Sequence, residues 1–253
     1  MDPIWAFFLD GTELEAWSFV LLCGISFLGS FITAALGIGG GMLMIAAMAL
    51  FMTPAVLIPL HGAVQLGSNA GRAALMARNA LTALVPPFLI GAIVGAVIGG
   101  HLVIALPVPL LKTILATFIV YAVWAPKFQA RKPGKKTFFA VGAVSTFTTM
   151  FVGATGPLIA PFVIAASTTR QQIVATHATL MTMQHALKIG AFGFLGFAFG
   201  AYVPLLICLV CFGFVGTYLG KFALNRLPEN VFRIGLKVIL TIIAVRLLYD
   251  ALA

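Results

Sequence analysis

His61, Gln65, Asn69 and Arg72 fall at i, i+4, i+8 and i+11 of an otherwise apolar stretch. On a helix that spacing stacks them into one polar stripe. Upstream lies Leu36-Gly37-Ile38-Gly39-Gly40-Gly41, a glycine-rich break whose freed backbone N–H groups must find partners in apolar surroundings. Half a chain later the pattern returns. Adding 116 carries Gly37 onto Gly153, Gly40 onto Gly156, His61 onto His177, Asn69 onto His185 and Arg72 onto Lys188. Helix N-termini with free N–H groups attract anions, and imidazoles, amides and cations beside them extend the same chemistry. The two elements are expected to face each other and hold a substrate. Gly39, Gly40, Gly41, His61, Gln65, Asn69 and Arg72 form one side, with Thr155, Gly156, His177, His185 and Lys188 on the other. No catalytic residue and no metal ligand is expected.

The sign of that substrate follows from what is missing. The acidic residues are Asp2, Asp10, Glu13, Glu15, Glu229 and Asp250, so no carboxylate lies between Ala16 and Pro228. Many cation pumps and exchangers use buried Asp or Glu as ion ligands or proton relays, and this core has none. It keeps Arg72, Arg170 and Lys188 in or beside apolar segments, where an unpaired charge is expensive. The counter-ion is therefore expected from outside. Lone basic residues also snorkel to the interface and set topology, and a lone histidine commonly bonds a core carbonyl. Recurrence of both types across the repeat favours a site, in which a histidine can also carry a coupling proton.

The elements that position these residues are apolar helices. Hydrophobic residues make up 62% of the chain, charged residues 8%, and the mean hydropathy is +1.13. A soluble domain carries roughly 25% charged residues, so an all-α polytopic membrane protein is expected. Pro3 to Leu9 reads as an interfacial segment and not a signal peptide, because acidic residues flank it. Ten helical segments follow in two sets of five: 17–36, 41–53, 56–78, 82–104 and 108–125, then 138–153, 157–169, 172–198, 203–223 and 229–250. The segments at 41–53 and 157–169 are short and are expected to be broken or re-entrant. An odd number per set gives two inverted repeats of about five segments each, a common plan of secondary transporters. The expected division is an N-terminal transmembrane repeat at 1–126, a basic loop at 127–137, and a C-terminal transmembrane repeat at 138–253.

The net charge of +9 is not a nucleic-acid signal. Much of it sits in Lys127, Arg131, Lys132, Lys135 and Lys136, a cluster of the kind that marks the cytoplasmic side and meets anionic lipid heads. The Arg72/Arg78 end falls on that side too, and the acidic N-terminus lies outside. In the 116 frame Phe31, Thr33, Thr53 and Ala70 recur as Phe147, Thr149, Thr169 and Ala186; later the frame becomes 121, where Gly95, Gly99, Leu106, Pro107 and Lys112 meet Gly216, Gly220, Leu227, Pro228 and Arg233. Gly91, Gly95 and Gly99 suit close helix packing or a homodimer contact. Cys23, Cys208 and Cys211 read as small core residues, and Met42, Met44, Met48, Met181 and Met183 as packing.

With Gly39-Gly40-Gly41, Pro54, Pro59, His61, Gln65, Asn69 and Arg72 in the first half, and Gly153-Ala154-Thr155-Gly156 and Thr176-His177 in the second, the chain resembles the TauE/SafE sulfite exporter family over about residues 17–250. The resemblance implies a multi-pass permease of a bacterial-type inner membrane, with the 127–136 loop cytoplasmic. Its implied substrates are small sulfur-containing anions such as sulfite, sulfoacetate or other organosulfonates, usually exported. Seven or eight spans are usual there, which favours re-entry of the short segments. Thr155 and Pro157 stand where the first half has glycines, and Lys188 where it has Arg72.

Another class is a transition-metal cation transporter using His and Met, which the carboxylate-free core disfavours. An enzyme is not expected, since no nucleophile–base pair or catalytic carboxylate is found. Nor is a cofactor. The expected partners are a small anion and the lipid bilayer, with no nucleic acid.

Overall fold

The computed structural model describes residues 3–36, 39–103, 106–126, 129–131, 133–223 and 229–252. Asp2, Gly37, Ile38, Lys127, Lys132, Arg226, Leu227 and Pro228, which enter the sequence patterns, lie outside the described residues.

The described residues form helices and no strand: α1 (Pro3–Leu9), α2 (Ala16–Leu36), α3 (Gly40–Met48), α4 (Pro54–Leu75), α5 (Val85–Val103), α6 (Val108–Trp124), α7 (Lys135–Val152), α8 (Gly156–Ala166), α9 (Arg170–Phe194), α10 (Val203–Ala223) and α11 (Glu229–Leu252). The chain is an all-α polytopic membrane protein. Among the described residues three stretches are both long and apolar enough to span: Ala16–Leu36, Thr82–Val103 and Phe199–Ala223. α4 and α9 are longer than 20 residues, but they carry the polar stripes.

α3 ends at Met48 and not near 53 as the sequence suggested. The chain tightens there into i−3 bonds, Leu50 N–H to Ala47 O at 3.2 Å and Phe51 N–H to Met48 O at 3.0 Å. Thr53 is then extended ahead of Pro54, as the residue before a proline prefers. α8 likewise stops at Ala166, where Ser167 turns extended. At 1.5 Å per residue these helices rise only about 14 and 16 Å, against a hydrocarbon core of about 30 Å. Neither crosses alone.

The two sets of helices interleave. α2 of the first set packs along α10 of the second, and α7 of the second packs along α5 of the first. α4 lies against α9, and α6 against α11. Exchanging the sets maps these four pairings onto one another. The close pairs rest on glycine. A Cβ on Gly95 would run into the carbonyl of Ala143, and one on Gly216 would run into that of Phe27. Ala143 and Phe27 are themselves 116 residues apart. Gly91 and Gly99 meet the α7 backbone in the same way, so the stripe read as a helix or homodimer contact is occupied inside the chain. A separate apolar cluster joins Phe88 and Ala92 of α5, Phe138 and Val141 of α7, Ile159 and Val163 of α8, and Leu180 and Met181 of α9. Cys23 is buried, but Cys208 is only half-buried and Cys211 is exposed, so the core reading holds for the first alone.

Candidate functional site

Both polar stripes begin the same way. Thr53 and Thr169 precede α4 and α9 in extended conformation. Pro54 occupies the first turn of α4, where its missing N–H is not needed. Thr169 Oγ1 accepts from Gln172 N–H at 3.2 Å. The stripes then meet across the α4–α9 interface, where the rings of His61 and His185 lie edge to face with centroids 5.9 Å apart.

The glycine breaks sit beside them. Gly39 has φ 115° and Gly153 has φ 70°, conformations that favour glycine. Thr33 braces the first break: its Oγ1 accepts Gly40 N–H at 2.9 Å and donates to Gly29 O at 2.9 Å. Thr149, its counterpart 116 residues on, donates to Gly153 O at 3.0 Å. A Cβ on Gly40 would collide with the Gly29 carbonyl, so this glycine is required for close packing. Its N–H is already taken.

Each break also receives a histidine. His61 Nε2 donates to Gly41 O at 2.9 Å and His177 Nε2 to Gly156 O at 3.3 Å; a carbonyl only accepts, so Nε2 carries the hydrogen in both rings. His61 Nδ1, His177 Nδ1 and both nitrogens of His185 have no hydrogen-bond partner. The core-histidine reading thus accounts for one nitrogen of His61 and of His177, and for neither nitrogen of His185.

The two cations are buried, Arg72 at 2% exposure and Lys188 at 0%, which rules out snorkelling for either. Arg72 donates from Nη1 to Asn69 Oδ1 at 3.0 Å and from Nη2 to Ser68 Oγ at 3.1 Å, while Nε has no partner. Asn69 Nδ2 in turn donates to Gln65 O at 2.8 Å, linking Gln65, Asn69 and Arg72. Lys188 reaches out of its own helix. Its Nζ donates to Gly153 O at 2.9 Å, and its stem crosses Gly62 of α4 so closely that a Cβ there would lie 2.6 Å from Cε. Among the described residues the one ion pair is the exposed Arg246–Asp250, at 3.9 Å on α11. No carboxylate neutralises the buried cations.

A cavity of about 30 Å³ lies between the stripes. Gly39, Gly41, His61, Gln65 and Asn69 line it from the first set of helices, and Gly156, His177 and His185 from the second. Gly40, Thr155, Arg72 and Lys188 stand behind this wall and brace it. Thr155 Oγ1, for instance, accepts from Gln184 Nε2 at 2.6 Å, while Gln184 Oε1 accepts from Ser145 at 3.1 Å. The wall also contains Thr33, Met42 and Met181, which the sequence pattern did not single out as site residues. The Thr33/Thr149 match was a usable signal for the first. The methionines carried none, because their spacing is that of packing residues. Among the described residues no group of three His, Cys, Asp or Glu is placed to hold a metal ion. The free Nδ1 atoms of His61 and His177 are acceptors in the neutral rings and become donors when protonated. With Arg72 and Lys188 behind them in a carboxylate-free core, they suit an oxyanion that arrives with a proton.

The family model described as Sulfite exporter TauE/SafE matches residues 22–247. No curated protein and no solved structure matches the chain.

Proposed function

Because the chain belongs to the sulfite exporter TauE/SafE family, we propose that it is a secondary transporter that exports a small sulfur-containing anion, such as sulfite, sulfoacetate or another organosulfonate, by alternating access. One observation carries the reading: Arg72 and Lys188 are buried in a chain with no carboxylate from residue 16 to 228. A buried cation without a counter-ion is strongly destabilising, and a bound anion between the two stripes supplies the missing charge.

Binding rests on the cavity-lining residues. Gln65 offers its amide, which Asn69 orients by donating from Nδ2 to the Gln65 carbonyl and Oε1. His61, His177 and His185 offer imidazoles, and the glycines at 39, 41 and 156 let the anion approach the backbone. Arg72 and Lys188 provide the field from behind, and Gly40 and Thr155 hold the breaks in shape. The histidines can also accept a proton that travels with the anion.

Alternating access fits the interleaved packing. One bundle combines α2, α3 and α4 with α10, and its counterpart combines α7, α8 and α9 with α5. The substrate lies where α4 meets α9, so rocking one bundle against the other exposes it to each side in turn. The sequence halves, 1–126 and 138–253, are the inverted repeats that generate this symmetry, and the protein sits in the inner membrane with the 127–136 loop cytoplasmic.

A thermal-shift panel on the purified protein tests the reading. Sulfite, sulfoacetate and taurine are expected to raise the melting temperature in a saturable way, while divalent transition metals do not. Stabilisation by a metal, with none by any sulfur oxyanion, would reverse the assignment.

A further inference from the structure

Beside the small central cavity lies a second, half-open chamber of about 840 Å³, whose wall includes the exposed Tyr121, Ile164 and Ala165. The two share Gly39, Met42 and Pro157 in their walls, so the chamber begins where the oxyanion site ends. Its lining is of another kind. Ile32 and Leu36 of α2, Leu158 and Ile164 of α8, and Leu236 and Leu240 of α11 make an apolar surface, which offers nothing to a strongly hydrated ion such as sulfite. Among the described residues the cation in its wall is Lys237, whose Nζ lies 5.0 Å from the Trp124 ring centroid. Trp124 is itself tied across to α11 by its Nε1 donating to Thr241 at 3.0 Å.

The sizes divide the labour. The central cavity, about 30 Å³ against about 840 Å³, has room for a compact head group and none for a hydrocarbon chain. We propose that the chamber is a tail subsite, and that the ligand is an amphiphilic organic sulfonate whose head group enters the histidine-lined cavity while its hydrocarbon portion lies between α2, α8 and α11. The proposal rests on the anion-transport reading above. Lys237 favours anionic over cationic amphiphiles at the chamber, and the apolar walls favour those with a tail over free sulfite.

The test is competition by linear alkanesulfonates of one to six carbons against radiolabelled sulfite flux. It uses the full chain in liposomes, with wild type and Ala165→Trp compared. Ala165 lines the chamber but not the central cavity, so a bulky ring there fills the tail space only. Burying a methylene contributes about 0.8 kcal/mol, roughly fourfold in affinity. Wild type is expected to gain at least about tenfold in inhibition between methanesulfonate and hexanesulfonate. Ala165→Trp is expected to lose that gain while sulfite flux and methanesulfonate inhibition persist. Inhibition flat with chain length, or a gain that Ala165→Trp leaves intact, would overturn the tail subsite and leave the anion reading standing. An equal gain for alkyltrimethylammonium ions or uncharged alkanols would assign the chamber to lipid and also overturn it. Absence of any sulfite flux or sulfonate effect in wild type would end both readings.

Discussion

Arg72 and Lys188 stand 116 residues apart at the ends of the two stripes, yet the stripes hold their cations differently. Arg72 is fastened within its own helix by Asn69 and Ser68, so its charge moves with α4. Lys188 leaves α9 and bonds the Gly153 carbonyl at the end of α7, while its stem passes Gly62 of α4. Its charge is therefore held by another element of its own set, and only its stem lies at the α4–α9 contact. The sign of the charge is the same at these two positions and the tether differs. A planar guanidinium with several donors in a fixed fork suits a permanent local anchor, whereas an ammonium on a flexible stem suits a contact that is made and broken.

The comparison is broken most severely at Arg72. Arg72→Ala removes a fixed charge and leaves Asn69 and Ser68 without their donor, so sulfite affinity is expected to fall about 100-fold or more, as read by isothermal titration. Lys188→Met is expected to act on both affinity and the conformational cycle. Affinity should fall about tenfold, less than in Arg72→Ala, and flux should fall further than affinity, because a shifted equilibrium between states also slows turnover. Equal losses of affinity in both variants would erase the distinction.

Gly62→Val sharpens it from the other side. The added side chain fills the space over which the Lys188 stem passes, and a flexible lysine can move away at modest cost. Flux is expected to fall severalfold with the fold intact by size-exclusion chromatography, and Lys188→Met is expected to remove most of the further effect of Gly62→Val. The smallest difference lies in the braces. Thr33 makes two hydrogen bonds at its break and Thr149 makes one. At about 1 kcal/mol for each net bond, Thr33→Ala should lower the melting temperature about twice as far as Thr149→Ala.

Much of this architecture was legible in the sequence because its causes are local. Apolar runs, the breaks before Gly40 and Gly156, and the polar spacing from residue 61 to 72 and from 177 to 188 are all written within one helix. What was not legible arises between helices. Nothing local to Gly40 distinguishes it from Gly39 and Gly41, yet Gly29 of α2 requires a glycine at that position. Position along the stripe did not tell which residues line the cavity and which brace it: Thr155 and Gln184 bond each other behind the wall, and Met42 and Met181 complete it. The interleaving of the two sets was equally hidden, since Gly95 and Gly216 find their partners far away in sequence.

The most direct test of the central claim, that a sulfur oxyanion neutralises the two buried cations, is radiolabelled sulfite flux through liposomes carrying the Arg72→Ala/Lys188→Ala double variant. A folded double variant with flux at the level of empty liposomes is the expected result. Wild-type flux in that variant would contradict it.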